Sequence, residues 1–254
     1  MAIDGHHGAQ VRVETVSKRY PGENGAVHAL DTASFDVSNG EFVCIVGPSG
    51  CGKTTLFRII AGLEEATDGS VVLNGRRVDG PTSDMGVVFQ EYHLFPWRTV
   101  RGNVAFGLEK SGVPAPERRE RVEDLIELVG LDGFAESYPK ELSGGMKQRV
   151  AIARALAVDP SLLLMDEPFG AVDAQTREML QTELLEIWKR TGKTVLFVTH
   201  DVEEAVKLAD RIVVMAKEPG RVKEIVEVDL SRPRLRSDTE FGEHYEHVLE
   251  LIRT

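Results

Sequence analysis

The sequence predicts an α/β fold with a mostly parallel core sheet, an antiparallel β region and a helical subdomain. Three observations carry this reading. A short apolar run over 41–46 leads into a glycine-rich turn and then a helical pattern. Apolar strand-length runs and helical runs alternate again from Ser161 to Ala209. Between these two regions lies a stretch of helical pattern with no strand signal.

The elements follow in order. Met1 to Gln10, with Gly5, His6, His7 and Gly8, reads as a loose terminus. Val11, Val13 and Val16 begin a strand-like region, and 41–46 is a short apolar strand that ends at Gly47. The pattern turns helical over 53–61. Asn74-Gly75 sits between the apolar flanks of 71–78, a hairpin signal. Residues 85–89 read as a strand. Helices are expected over 100–110 and 117–129, separated by Gly112, Pro114 and Pro116. The charged run 117–127 reads as a solvated face. A third helix starts near Gly144 and ends by Asp159-Pro160. Then come a strand over 161–165, a helix over 174–190, a strand over 194–199 and a helix over 201–209. Asp201 and Glu204 have capping-box spacing at the start of that last helix. A closing hairpin joins 212–215 to 222–228 through Pro219-Gly220, and 239–252 reads as a terminal helix.

Composition narrows the function classes. The chain has 254 residues, enough for one large domain with a subdomain. Its net charge of -11 argues against binding to a nucleic-acid backbone, which requires clustered Lys and Arg. Two cysteines, Cys44 and Cys51, make no disulfide framework and suit a reducing compartment. No secretion signal is evident, and the longest apolar runs are strand-sized, too short to span a bilayer. His244 and His247, at i and i+3, lack a third ligand for a metal site.

Gly47-Pro48-Ser49-Gly50-Cys51-Gly52-Lys53-Thr54, followed by Thr55, fits a phosphate-binding loop, placed after a strand and before a helix. Glycines let backbone N–H groups turn inward around a phosphate chain, and the helix N-terminus adds positive potential. Lys53 is placed to reach the β- and γ-phosphates, and Thr54 to ligate Mg²⁺. An apolar run ends in Asp166-Glu167. Beside a phosphate loop, Asp166 is a magnesium ligand and Glu167 a general base or water-orienting group. Ser143-Gly144-Gly145 is a second anion-binding helix start, with a serine cap and two bare glycines. One chain with two such helix starts makes sense if each completes a nucleotide pocket on a partner.

Leu142-Ser143-Gly144-Gly145-Met146 resembles the signature motif of ABC ATPases, with Met146 where Gln is commonest. Further motifs of that family follow in order. Gln90 matches the Q-loop, a catalytic and metal-binding position. Ala171-Val172-Asp173 matches the D-loop, with Val172 where Leu is usual, and His200 matches the switch histidine. Tyr20 matches the aromatic residue that stacks on adenine. A lone Gln90, His200 or Tyr20 would more often be an ordinary polar or packed residue; order and strand-end placement favour the functional reading of Gln90 and His200. The resemblance spans about Val11 to Val228.

It implies a P-loop NTPase cassette over 11–230 with a helical subdomain at about 91–158, a flexible segment over 1–10 and a helical extension over 231–254. It implies ATP and Mg²⁺ as cofactors, with Glu167, His200 and Gln90 in catalysis. Tyr20, the 47–55 loop, Ser143, Gly144, Gly145 and Asp173 would bind nucleotide, and Thr54, Gln90 and Asp166 the metal. It also implies a head-to-tail dimer with a second cassette, a separate integral membrane permease and, indirectly, an extracytoplasmic solute-binding protein. The subunit would then be peripheral, on the cytoplasmic face of the membrane, and nucleic acid would not be a partner.

Residues 88–100, with Phe95, Trp97 and Pro96 after Gln90, resemble the ATPases of nitrate, sulfonate and taurine importers. The short stretch after Val228 leaves no room for the added regulatory domain of many sugar importers. An exporter ATPase, or a non-transport ABC ATPase acting on nucleic acid or ribosomes, is the alternative. The absence of a heptad run between Lys53 and Ser143 disfavours the DNA-repair class, and the signature disfavours a P-loop kinase.

Overall fold

The computed structural model of the chain describes residues 9–22 and 25–253. His6, His7 and most of the segment expected to be flexible lie outside the described residues. The described residues divide into two compact units. One comprises the described parts of Met1–Thr82 and Thr194–Thr254, the other Ser83–Lys193.

In chain order the first unit begins with β1 (Ala9–Tyr20), β2 (Val27–Ser38), β3 (Phe42–Val46), α1 (Lys53–Ile60), β4 (Asp68–Leu73) and β5 (Arg76–Arg77). The second unit supplies β6 (Met85–Val88), α2 (Val100–Lys110), α3 (Ala115–Leu128), α4 (Gly144–Leu156), β7 (Leu162–Asp166) and α5 (Ala174–Thr191). The chain returns to the first unit with β8 (Thr194–Val198), α6 (Val202–Leu208), β9 (Arg211–Ala216), β10 (Arg221–Glu227) and α7 (Thr239–Arg253).

In the first unit, β3 pairs in parallel with both β8 and β9, while β10 returns antiparallel to β9. Every residue of β3 and β8 is buried. A strand covered on both faces reads as a continuous apolar run, which is why FVCIV and TVLFV do not alternate. Phe42 and Phe197 pack with ring centroids 5.9 Å apart, each fully shielded. Burying one such ring stabilises by about 1.5–3 kcal/mol. A second, antiparallel sheet runs in the order β2-β1-β4-β5. Asn74 (φ 51°) and Gly75 (φ 76°) turn its β4–β5 hairpin, since paired positive φ values match the right-handed twist of the strands.

The sequence reading assigned no separate strand to 27–38, yet β2 runs for 12 residues. Leu30, Ala33, Phe35 and Val37 are buried along it. Thr32 has φ 49°, and the pairing with β1 slips register more than once, so strict two-residue alternation is broken.

In the second unit β6 and β7 pair in parallel, from Met85↔Leu162 to Val88↔Met165. Helix α4 packs so closely on this pair that a Cβ on Gly86 would lie 2.7 Å from the Ala155 carbonyl oxygen. Helix α2 is capped by Thr99, whose hydroxyl accepts from the Gly102 N–H. Helix α3 starts two residues before the expected Glu117. Pro116 tolerates the first turn, where its missing N–H is not needed.

The segment after β10 folds back onto α6. The Arg234 guanidinium, 6% exposed, donates to the carbonyls of Val206, Ala209, Val228 and Leu230 at 2.5–3.0 Å. Burial lowers its pKa to about 10, with Arg232 adding to the shift, so it stays charged at neutral pH. Arg232 donates to the Leu208 carbonyl at 2.6 Å and pairs with Asp210 at 2.8 Å. Two cations thus satisfy carbonyls at the negative end of α6.

Candidate active site

The phosphate loop leaves the C-terminal end of β3. Gly50 (φ 82°) and Gly52 (φ 88°) hold left-handed conformations, and Gly52 stands at the start of α1 with no side-chain cap. The first turn of α1 carries no acidic residue, so its orphan N–H groups and the helix dipole face an anion unopposed. Lys53 is only 7% exposed, and its Nζ donates to the carbonyls of Gly47 at 2.7 Å and Pro48 at 3.2 Å. The Thr54 side is exposed and Thr55 half-buried. The Cys51 thiol is buried, which raises its pKa, although the neighbouring Lys53 pulls the other way. Bare glycines, free helix N–H groups and one sheltered ammonium fit a polyphosphate.

Tyr20, half-buried at the end of β1, hydrogen-bonds Glu64 and Thr55 through its side chain. The Lys18 ammonium lies 5.0 Å from its ring centroid. Burial, and then the Glu64 contact, raises the phenol pKa. The expected adenine-stacking residue therefore stands beside the helix that the phosphate loop opens.

His200 leaves the same sheet edge as the phosphate loop. Strand β8 runs parallel to β3 with Ile45 opposite Val198, and the Thr199 N–H donates to the Ile45 carbonyl at 3.1 Å. Ligands of α/β sheets bind at such C-terminal strand edges. His200 itself is exposed. The buried Thr199 hydroxyl donates to Glu204 at 2.5 Å and accepts from the Asp201 N–H at 3.0 Å. Asp201 caps α6 by accepting from the N–H groups of Glu203 and Glu204, which is one half of the expected capping box; the Asp201 N–H itself goes to Thr199.

The second unit holds the remaining site residues. Because β6 and β7 are parallel, Phe89-Gln90 and Asp166-Glu167 emerge from the same edge. Asp166 ends β7, and Glu167 follows with φ 43°, a strained conformation for a residue with a side chain. The Gly170 N–H donates to the Glu167 carbonyl at 3.0 Å, closing a tight turn. A Cβ on Gly170 would sit 3.3 Å from Gln90 Nε2, so the exposed Gln90 borders the turn that carries Glu167.

Ser143 caps α4, its hydroxyl accepting from the Met146 N–H at 3.2 Å. Gly144 and Gly145 open that helix. A Cβ on Gly144 would be 3.1 Å from the Tyr92 hydroxyl and 3.5 Å from Val172, and one on Gly145 would be 3.0 Å from Thr176. Asp173 caps α5, accepting from the Thr176 N–H and hydroxyl, and these bonds lower its pKa. The signature and the Val172-Asp173 segment are therefore neighbours within this unit.

Two contributors escaped the sequence reading. Tyr92 borders Gly144, and Arg154 donates to the carbonyls of His93 at 2.6 Å and Tyr92 at 3.0 Å. An aromatic residue two positions after Gln90 was the available signal for the first; no local pattern marks the second.

The Phe95–Trp97 pair divides in role. Phe95 packs on Phe106 with centroids 4.5 Å apart. Asn103, fully buried, accepts from the Phe95 N–H at 2.8 Å and donates to the carbonyls of Phe95, Arg98 and Thr99. Trp97 is 72% exposed.

The profile of the ABC transporter family matches residues 30–170. An uncharacterized ABC transporter ATP-binding protein of Methanocaldococcus jannaschii is 55% identical over 244 residues, 96% of this chain and 91% of that one. An aliphatic sulfonates import ATP-binding protein of Bacillus thuringiensis is 46% identical over 240 residues, 94% of each chain. Among solved structures, a dimeric post-hydrolysis ATP-binding cassette bound to ADP and Pi superimposes with a TM-score of 0.75 at 34% identity, covering 87% of this chain and all of that one. A component of an ABC transporter complex from Clostridium perfringens superimposes with a TM-score of 0.79 at 28% identity, covering 87% of this chain and 90% of that one.

Proposed function

Because the chain belongs to the ABC transporter family and is an ATP-binding, ATP-hydrolysing cassette of it, we propose that it energises import of a small solute, of the sulfonate, taurine or nitrate type, through a separate permease. The observation that carries the importer reading is the extended likeness to an aliphatic sulfonate importer ATPase across 94% of both chains. The aromatic stretch after Gln90 supports it from the sequence.

On this reading Tyr20 stacks on adenine, and the N–H groups of 47–55 with the Lys53 ammonium hold the phosphates. Glu167 orients a water and takes its proton as the water attacks the γ-phosphorus, the bond to the β,γ-bridging oxygen breaks and ADP leaves, and His200 donates a hydrogen bond to the γ-phosphate. Thr54, Gln90 and Asp166 offer the oxygen donors that Mg²⁺ prefers, and the ion would neutralise phosphate charge. Ser143, Gly144 and Gly145 cap the γ-phosphate held by a second cassette, and Asp173 couples the two sites. A dimeric post-hydrolysis relative supports that assembly. Among the described residues no helix is long and apolar enough to cross a membrane. On this reading the permease holds the subunit at the cytoplasmic face. A solute-binding protein would deliver the cargo.

The test is Glu167→Gln in the source cell, with expression confirmed and uptake of labelled taurine, alkanesulfonates, nitrate, bicarbonate and thiamine precursors measured. The purified variant should bind ATP and hydrolyse it at least about 100-fold more slowly. Loss of uptake of one compound supports the importer reading and names the cargo. Unchanged uptake across the panel, with hydrolysis lost, overturns this choice of cargo class; near wild-type turnover overturns the role of Glu167.

A further inference from the structure

The turn of the β9–β10 hairpin, Lys217 to Gly220, lies far in sequence from the phosphate loop, and no motif assigns it a role. Yet Gly220 is buried against that loop. A Cβ placed on Gly220 would stand 2.3 Å from the Cys51 carbonyl oxygen, 3.0 Å from the Cys51 carbonyl carbon and 2.4 Å from the Ala29 carbonyl oxygen. Real Cβ atoms do not approach that closely, and two of these three atoms belong to the phosphate loop itself. The contact is also anchored. The Asp31 N–H donates to the Gly220 carbonyl at 2.7 Å, and Leu30 and Gly220 form an isolated parallel bridge.

The two ends of the loop are crowded as well. A Cβ on Gly47 would lie 2.7 Å from both the Met215 carbonyl oxygen and the Cys51 sulfur. One on Gly52 would lie 2.7 Å from the Ala29 carbonyl oxygen and from Leu30 Cδ2. Strands β2 and β9 and the hairpin turn thus crowd the two ends of the loop, at Gly47 and at Cys51-Gly52.

In a trans peptide the C=O and N–H point in opposite directions. Whatever fixes the Cys51 carbonyl therefore fixes the Gly52 N–H, one of the donors that a phosphate group meets. We propose that Gly220 is a positioning residue for nucleotide binding. By seating its bare Cα against the Cys51 carbonyl, it aims the Cys51–Gly52 peptide so that the N–H faces the phosphates. Only glycine allows the approach. The proposal rests on the ATP-binding activity of the chain, not on the choice of cargo.

Gly220→Ala is the direct test, with Gly242→Ala as control, since a Cβ on Gly242 in α7 meets nothing. Gly220→Ala should raise the KM for ATP by about tenfold or more with a smaller change in kcat, because saturating ATP restores occupancy. Gly242→Ala should leave both unchanged. A Gly220→Ala protein that folds and keeps its KM within about twofold of wild type overturns the proposal.

Amide hydrogen exchange on the wild-type protein covers the case in which that variant fails to fold. ATP binding, read from slowed exchange at the phosphate loop, should also slow the Asp31 amide that bonds Gly220. Protection of the loop with no change at Asp31 overturns the proposal. No protection of the loop at all would instead mean failed ATP binding.

Discussion

The hydroxyl of Thr199 donates to the carboxylate of Glu204 at 2.5 Å, with both side chains buried and with His200 next in the chain. The same hydroxyl accepts from the Asp201 N–H, so one oxygen ties strand β8 to the first turn of α6 across the exposed histidine.

Thr199→Val keeps the shape and removes both bonds. A buried carboxylate deprived of a donor costs about 1–3 kcal/mol, so the thermal midpoint should fall. The kinetic effect should be a lower kcat for ATP hydrolysis with KM within about twofold, because the 47–55 loop proposed to hold the phosphates is untouched. A kcat equal to that of wild type would remove this bond from the control of His200.

Trp97 exposes 72% of its surface on a segment pinned by Asn103. Trp97→Ala should leave ATP hydrolysis by the isolated subunit within about twofold of wild type and abolish solute uptake in cells, as expected if the indole docks on a permease. Asn103→Ala should lose uptake too, and should also destabilise by about 2–3 kcal/mol because it unpairs buried backbone groups. Normal uptake by Trp97→Ala would exclude the indole as a docking contact.

The Cys51 thiol should resist alkylation at neutral pH. Its pKa is raised by burial in the folded protein, so the neutral thiol is the favoured form. The associated stability is complete below the unfolded thiol value, about 8.5, and is lost as pH rises through the higher folded value. Alkylation rate against pH, followed by mass spectrometry of the native subunit, should inflect above the value for the urea-unfolded chain. An inflection at or below that value would contradict the burial argument.

Much of the fold is legible because local chemistry dictates it. Asn74-Gly75 demands a hairpin, the glycine pattern around Lys53 demands a turn into a helix, and Asp201 announces the start of α6. Strand β2 is less legible because the left-handed Thr32 disrupts the alternation that a reader counts. The site residues at strand ends could be named from order alone. What surrounds them could not: the Arg154 bonds to the carbonyls of Tyr92 and His93, and the seat of Gly220 against Cys51, join residues far apart in sequence. Phe95 and Trp97 read alike in the sequence. Only packing on Phe106 separates an anchored ring from a presented one.

The grip of Arg234 on the end of α6 bears on how this protein is handled at the bench. A shortened chain that stops at the last strand would strip the end of α6 of three guanidinium bonds, from Arg234 to the Val206 and Ala209 carbonyls and from Arg232 to the Leu208 carbonyl, while Asp210 would lose Arg232. The helix so loosened begins at Val202, two residues after His200. Trimming for expression or crystallisation therefore needs to leave Arg234 in place, or the truncated protein will report the behaviour of a frayed α6 in place of the native one.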